Sequence, residues 1–346
     1  MVLLKNQGNL LPLSREDVGT VALKGPNLRK KFGRLFYGGS SAVKPPYEIT
    51  PLEGVREKLE SETRIINDAS EADLAIIFAG LNHDKGLDSE TYDRQMLELP
   101  DDQVEQINQT ASDNPNTVVV LIAGSAIAMR DWIDNVPVVL DAWYAGMESG
   151  RAIANVLFGD VCPSGKLPVT FPQQLKDSPA HHSGLARHYP GDEEKRVYYD
   201  EGIFVGYRWF DEKEITPLYP FGYGLSYTAF EFGEVQSDRN KISGKDDALV
   251  IKVDVENTGK HSGAEVVQIY SHDIQSSVER PPKELVGFEK MMLKPGERGT
   301  ASIRVKAHDL MFYDVEKHEW CLEPGEYELL IGNSSRDLYS KIMLDY

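Results

Sequence analysis

The sequence predicts an α/β layer built on a mostly parallel sheet, followed by an all-β sandwich. Two changes of rhythm carry this expectation. As far as Gly159, apolar runs without alternation are interleaved with stretches of helical spacing, the pattern of strands buried on both faces and of the helices that cover them. From Leu249 the period is two, with turn residues between short runs, as in antiparallel strands that bury one face.

In chain order, Met1-Val2-Leu3-Leu4-Lys5 runs directly into Asn6 and Gly8. This apolar stretch is too short for a signal peptide, and the chain reads as opening in mid-domain, as a fragment or one half of a split enzyme would. Apolar runs at 18–23, 72–79, 118–123 and 136–140 are read as four strands. Between the second and third, Val104, Ile107 and Ala111 fall at helical spacing, with Asp101 and Asp102 at the end where carboxylates suit the helix dipole. After the fourth, Ala152, Ile153, Val156 and Leu157 repeat the helical pattern until Gly159-Asp160 ends it. Pro163, Gly165, Pro168 and Pro172 then break any long element, a polar loop runs to Arg196, and aromatic residues crowd between Tyr198 and Phe230. Alternation at Leu249, Ile251, Val253 and Val255, at Ala301, Ile303 and Val305, and at Tyr327, Leu329 and Ile331 predicts strands of a sandwich. The expected domains are 1–228 and 229–346.

Composition excludes several classes. The 346 residues are 41% hydrophobic and 27% charged, ordinary for a globular chain, and the formal charge of -18 argues against nucleic acid or an anionic membrane as partner. No apolar run is long enough to span a membrane as a helix. Cys162 and Cys321, expected in different domains, make no disulfide framework. No Gly-x-Gly-x-x-Gly follows a strand, and Gly124-Ser125-Ala126 lacks the nucleophile-elbow pattern. His181, His182 and His188 lack metal-ligand spacing and read as solvated, so neither metal nor cofactor is expected.

The candidate site is Asp88-Ser89-Glu90-Thr91-Tyr92-Asp93-Arg94, just beyond the run at 72–79. Ligand sites in open parallel sheets lie beyond the carboxyl ends of such strands. A loop there with three carboxylates, a tyrosine and an arginine is either a solvated acidic loop or a site. Trp143 closes the fourth strand at the same sheet edge and either borders a ligand or packs.

Several motifs resemble glycoside hydrolase family 3. Gly8-Asn9-Leu10-Leu11-Pro12-Leu13, Gly38-Gly39-Ser40-Ser41, Thr50-Pro51-Leu52-Glu53-Gly54, Pro163-Ser164-Gly165-Lys166-Leu167-Pro168 and Tyr219-Pro220-Phe221-Gly222-Tyr223-Gly224 are similar to the second domain of that family. Arg280-Pro281-Pro282-Lys283-Glu284-Leu285 and Glu323-Pro324-Gly325-Glu326-Tyr327 resemble the fibronectin type III-like domain that ends many members. Two departures stand out. Gly146-Met147-Glu148-Ser149-Gly150 replaces a common Gly-Gln-Glu-Gly-Gly, and the β/α barrel that usually precedes these domains is absent from the chain.

The resemblance implies a retaining β-glucosidase without cofactor, acting on a β-glucoside or oligosaccharide, with the aspartate nucleophile on a barrel domain or subunit outside this chain. It implies Glu90, in the motif Ser-Glu-x-Tyr-Asp-Arg, as general acid/base. Asp88 is placed to raise the pKa of Glu90. Asp93 and Arg94 read as positioning residues, with an ordinary surface ion pair the other reading of Arg94, and Tyr92 either stacks on sugar or packs the loop. Arg130-Asp131-Trp132 is similar to the family's nucleophile triplet but precedes the fourth strand at its remote end, so Asp131 is expected on the surface. Two alternatives stay open: a β-xylosidase or other β-glycosidase, and a non-catalytic carbohydrate-binding or interaction module.

Overall fold

A computed structural model describes residues 1–33, 43–89 and 94–346. The chain divides into two compact units: Met1–Gly165 with Phe171–Leu175 and Gly224–Tyr227, and Lys166–Thr170 with Lys176–Tyr223 and Thr228–Tyr346.

In the first unit the strands β1 (Val2–Asn6), β2 (Thr20–Lys24), β3 (Arg64–Ile66), β4 (Leu74–Gly80), β5 (Thr117–Ile122) and β6 (Val138–Asp141) form one sheet in the order β1-β6-β5-β4-β2-β3. β2 to β6 pair in parallel, while β1 joins the edge antiparallel to β6. Every residue of β4, β5 and β6 is buried, which is why the sequence shows unbroken apolar runs rather than alternation. Ile76, Phe78, Val120 and Leu140 join one core with residues of the helices α1 (Pro51–Arg56) and α3 (Ser149–Leu157). On α2 (Asp101–Asp113) the buried positions are Gln103, Ile107 and Thr110, whereas Val104 and Ala111 are only half-buried, so the helix is rotated from the face the apolar spacing picks out. Gln103 sits in phase because its amide meets the backbone of Gly80 twice, donating to the carbonyl and accepting from the N–H, both at 2.9 Å. That satisfies the buried end of β4.

Three elements of this unit escape the apolar reading: β1, α1 and β3, whose three residues are exposed or only half-buried. β1 is short and stands at the start of the chain. The helix α1 is announced instead by a capping box: Glu53 N donates to Thr50 Oγ1 at 3.3 Å and Thr50 N to Glu53 Oε2 at 2.8 Å. α1 also approaches α3 so closely that a Cβ on Gly54 would lie 2.0 Å from the Gly150 carbonyl oxygen, and one on Gly150 2.0 Å from that of Thr50. The second glycine of the 146–150 stretch is therefore demanded by packing.

The second unit contains two packed antiparallel sheets. One takes β9 (Gly263–Asp273), β10 (Glu284–Leu293), β14 (Glu326–Gly332) and β15 (Leu338–Asp345), and the other β7 (Phe230–Ser237), β8 (Ala248–Asn257) and β11 (Arg298–Lys306). Leu249, Ile251, Val253, Val255, Ile303, Leu329 and Ile331 fill the core between them, the alternating positions of the sequence pattern. A short hairpin of β12 (Phe312–Asp314) and β13 (Glu319–Cys321) lies outside both sheets.

The aromatic segment before the sandwich is clamped to it. Asp211, its side chain 4% exposed, meets Lys283 Nζ at 2.7 Å and Arg336 Nε at 2.8 Å, and Arg336 also donates to the carbonyl of Phe210 at 3.0 Å. Tyr207 stacks on Phe221 at 4.9 Å, and its hydroxyl accepts from Leu285 N at 2.9 Å. Lys166 pairs with Glu265 at 2.7 Å, both nearly buried.

Candidate active site

The site is built where β4, β5 and β6 end. β4 hands over to a loop whose first residue, Leu81, donates from its backbone to Ile122 O at 2.8 Å. Asn82 is buried and folds the loop back: its side-chain oxygen accepts from Asp84 N at 2.8 Å and its carbonyl from Asp88 N at 2.9 Å.

Asp88 is the first anchor. Its Oδ2 accepts from Gly124 N and from the Tyr144 hydroxyl, each at 2.8 Å. A Cβ at Gly124 would lie 3.0 Å from both that oxygen and the Tyr144 ring, so any larger residue there would press on the two groups it anchors. Burial, reinforced by the Asp88 carboxylate, raises the Tyr144 phenol far above its ordinary value, so it stays protonated and donates. His83 and Phe32 hold the Tyr144 ring at 5.2 and 5.3 Å.

Arg94 is the second anchor. Its Nη2 donates to Ala126 O at 2.9 Å, and burial lowers its pKa against the opposing fields of Asp88, Tyr144 and Glu98. Its Nη1 is buried without a hydrogen-bond partner among the described residues. Further on, Ala128 N donates to Leu97 O at 2.9 Å. Both flanks of the loop are thus tied to 124–128, the connection that follows β5. Glu90, Tyr92 and Asp93, with Thr91, lie outside the described residues, as does the Gly38-Gly39-Ser40-Ser41 motif.

Trp143 follows β6 with φ at +53°, a left-handed backbone that a bulky residue adopts at a cost of about 1–3 kcal/mol. Asp141, 2% exposed, holds that turn by accepting from Trp143 N at 3.2 Å. Burial pushes the Asp141 pKa up to about 7, and its second oxygen has no partner among the described residues. The Trp143 ring is half-buried, edge-on to Phe171 at 6.0 Å. Beside Tyr144 opens a cavity of about 410 Å³, lined by Phe32, Pro45, Glu48, His83 and Met147 among others. Glu48 there accepts from the backbone of Phe32 and Gly33 at 2.7 and 3.0 Å.

The sequence reading missed Tyr144, Gly124 and His83. A tyrosine next to Trp143 at a strand end was the available signal. Asp131 is exposed beside Arg130. In the second unit, His188 is less solvated than its spacing suggested: it links Ser183 Oγ at 2.6 Å to Asp200 Oδ2 at 2.7 Å. This string is no nucleophile relay, because Ser183 Oγ already accepts from Leu185 N and Arg187 pairs with Asp200, which makes it a loop clasp. Among the described residues no group of three or more metal-ligating side chains gathers, and no helix is long and apolar enough to cross a membrane.

A parallel sheet carrying a doubly anchored polar loop at its strand ends is the arrangement of an α/β enzyme domain. The chain belongs to glycosyl hydrolase family 3. The model described as the family 3 C-terminal domain matches residues 1–207, and a fibronectin type III-like domain matches 265–335. It is 41% identical to the thermostable beta-glucosidase B of Acetivibrio thermocellus over 99% of this chain and 46% of that protein. To a beta-glucosidase of Bacteroides ovatus it is 36% identical over 100% of this chain and 50% of that one. The crystal structure of a Bifidobacterium adolescentis GH3 beta-glucosidase superimposes with a TM-score of 0.88 at 32% identity, covering 99% of this chain and 51% of that one. The chain spans about half the length of the curated relatives it matches.

Proposed function

We propose that this chain supplies the acid/base part of a retaining β-glucosidase acting on terminal non-reducing β-D-glucosyl residues. Its domains are 1–228, which carries the loop, and 229–346. Glu90 protonates the glycosidic oxygen while a carboxylate from a barrel outside these 346 residues attacks the anomeric carbon, forming a glycosyl-enzyme and releasing the aglycone alcohol. Glu90, now ionised, takes a proton from the water that attacks the same carbon, and glucose leaves with its configuration retained. Asp88, two residues away, favours the protonated form of Glu90 by its charge. Asp93 and Arg94 position the loop, and Tyr92 and Trp143 border the sugar.

The observation that carries this reading is that Asp88 and Arg94, which stand on either side of the Glu90 motif in the sequence, are both anchored on one connection. Proton transfer needs such placement. The names of the relatives, all of them beta-glucosidases among those cited above, support the substrate class.

The test is the stereochemical course of the complete enzyme, followed by proton NMR on an aryl β-glucoside. β-Glucose is expected to appear first and to mutarotate afterwards, with kcat/KM higher on the glucoside than on the matching β-xyloside. α-Glucose appearing first contradicts the retaining mechanism, and a preference for xyloside contradicts the substrate assignment.

A further inference from the structure

A cavity of about 670 Å³ in the second unit lies between the β12–β13 hairpin and the 277–281 segment. Its volume suits a small-molecule ligand. Tyr313 and Trp320 form one wall. They are paired directly across the hairpin and meet edge to face at 5.7 Å, yet remain 47% and 50% exposed. A cross-strand aromatic pair stabilises a hairpin through the surface it hides. That role leaves the open half of each ring unexplained, as it does the 73% exposure of neighbouring Val315.

The cavity also holds a hydrogen-bonding array set in advance. Arg280, its side chain 8% exposed, donates to Leu310 O at 2.9 Å and to Glu284 Oε2 at 2.8 Å, while Arg208 Nη2 meets Glu284 Oε1 at 3.1 Å and keeps 35% of its side chain exposed. Glu284 is therefore held between two guanidinium groups, and the orientation of Arg208 is fixed before any ligand arrives. Arg208 and Arg280 face four carboxylates, Glu279, Glu284, Asp314 and Glu316, so the surplus negative charge disfavours an anion, while the two guanidinium groups at the array disfavour a cation there. The matching ligand is uncharged, offers flat C–H faces to the rings, and carries hydroxyls that both donate and accept.

We propose that this groove is a second carbohydrate-binding site, which takes a neutral oligosaccharide with sugar faces on Trp320 and Tyr313 and hydroxyls on Arg208 and Glu284. It lies wholly within the second unit and does not depend on the hydrolytic reading of the first.

Isothermal titration of the 346-residue chain with cellotetraose, xylotetraose and maltotetraose tests it. Saturable binding of at least one is expected. Affinity should fall about tenfold or more in Trp320→Ala and in Tyr313→Ala, recover in Trp320→Phe, and stay unchanged in Phe288→Ala, an exposed aromatic that does not line the groove. Circular dichroism checks that each variant is folded. Should an aromatic variant unfold, Arg208→Ala, a change at a half-open side chain, is expected to weaken binding instead. The proposal is overturned if none of the three sugars binds at about 10 mM, if the folded Trp320, Tyr313 and Arg208 variants bind as well as the parent, or if Phe288→Ala abolishes binding.

Discussion

Glu90→Gln in the complete enzyme is expected to lower kcat on an alkyl β-glucoside by about 10²–10⁴-fold, the range a positioned general acid contributes. The loss should depend on the leaving group. An alkoxide needs a proton as the bond breaks, whereas a dinitrophenolate leaves without one, so glycosyl-enzyme formation from a dinitrophenyl glucoside should be nearly spared. The second half-reaction should slow for both substrates, because water then has no base. Stopped-flow release of dinitrophenolate followed by steady-state turnover separates the two steps. A uniform loss across leaving groups would assign Glu90 to sugar binding or loop structure, and no loss would remove it from the chemistry. Glutamine is the informative change because it keeps the size of the side chain and removes its acidity, while Asp88 keeps its bonds to Gly124 and Tyr144 and Arg94 its bond to Ala126.

Asp211→Ala is expected to destabilise the second unit by about 3–5 kcal/mol, among the largest effects of any single change in this chain. The carboxylate is 4% exposed and meets two cations, one of them Lys283 with a side chain only 11% exposed. Removing it leaves that ammonium buried beside Arg336 with no opposing charge. Arg336, 37% exposed, recovers part of its hydration, which places the effect towards the lower end of the range. The difference in urea midpoint between the variant and the parent measures it. A change below about 1 kcal/mol would mean that the 207–215 segment is held by its aromatic packing alone.

The parts of this structure legible in the sequence are those set by repeated apolar burial. β4 and β5 announce themselves because both faces are covered, and β8, β11 and β14 because one face is. β1 was not legible: it is five residues long at the start of the chain and joins the sheet against its prevailing direction. α2 was found but misoriented, since its buried face carries Gln103 and Thr110, polar residues that a count of apolar positions passes over. Their phase with Ile107 was the signal. In the candidate site, the loop and its place beyond β4 were readable from strand-end logic, but its anchor was not, because Tyr144 lies 56 residues from Asp88 and only the fold brings them together. The Asp211 clamp escaped for the same reason, as its partners come from two distant turns of the chain.

The most direct test of the central claim is the initial rate of aryl β-glucoside hydrolysis by three purified proteins. They are the 346-residue chain, the same chain joined to the remaining half of the Acetivibrio thermocellus relative, and that fusion carrying Glu90→Ala. The expected result is no turnover by the chain alone, turnover by the fusion, and its loss in the variant. Turnover by the chain alone at a rate matching the fusion would contradict the account, because the attacking carboxylate would then lie within these residues.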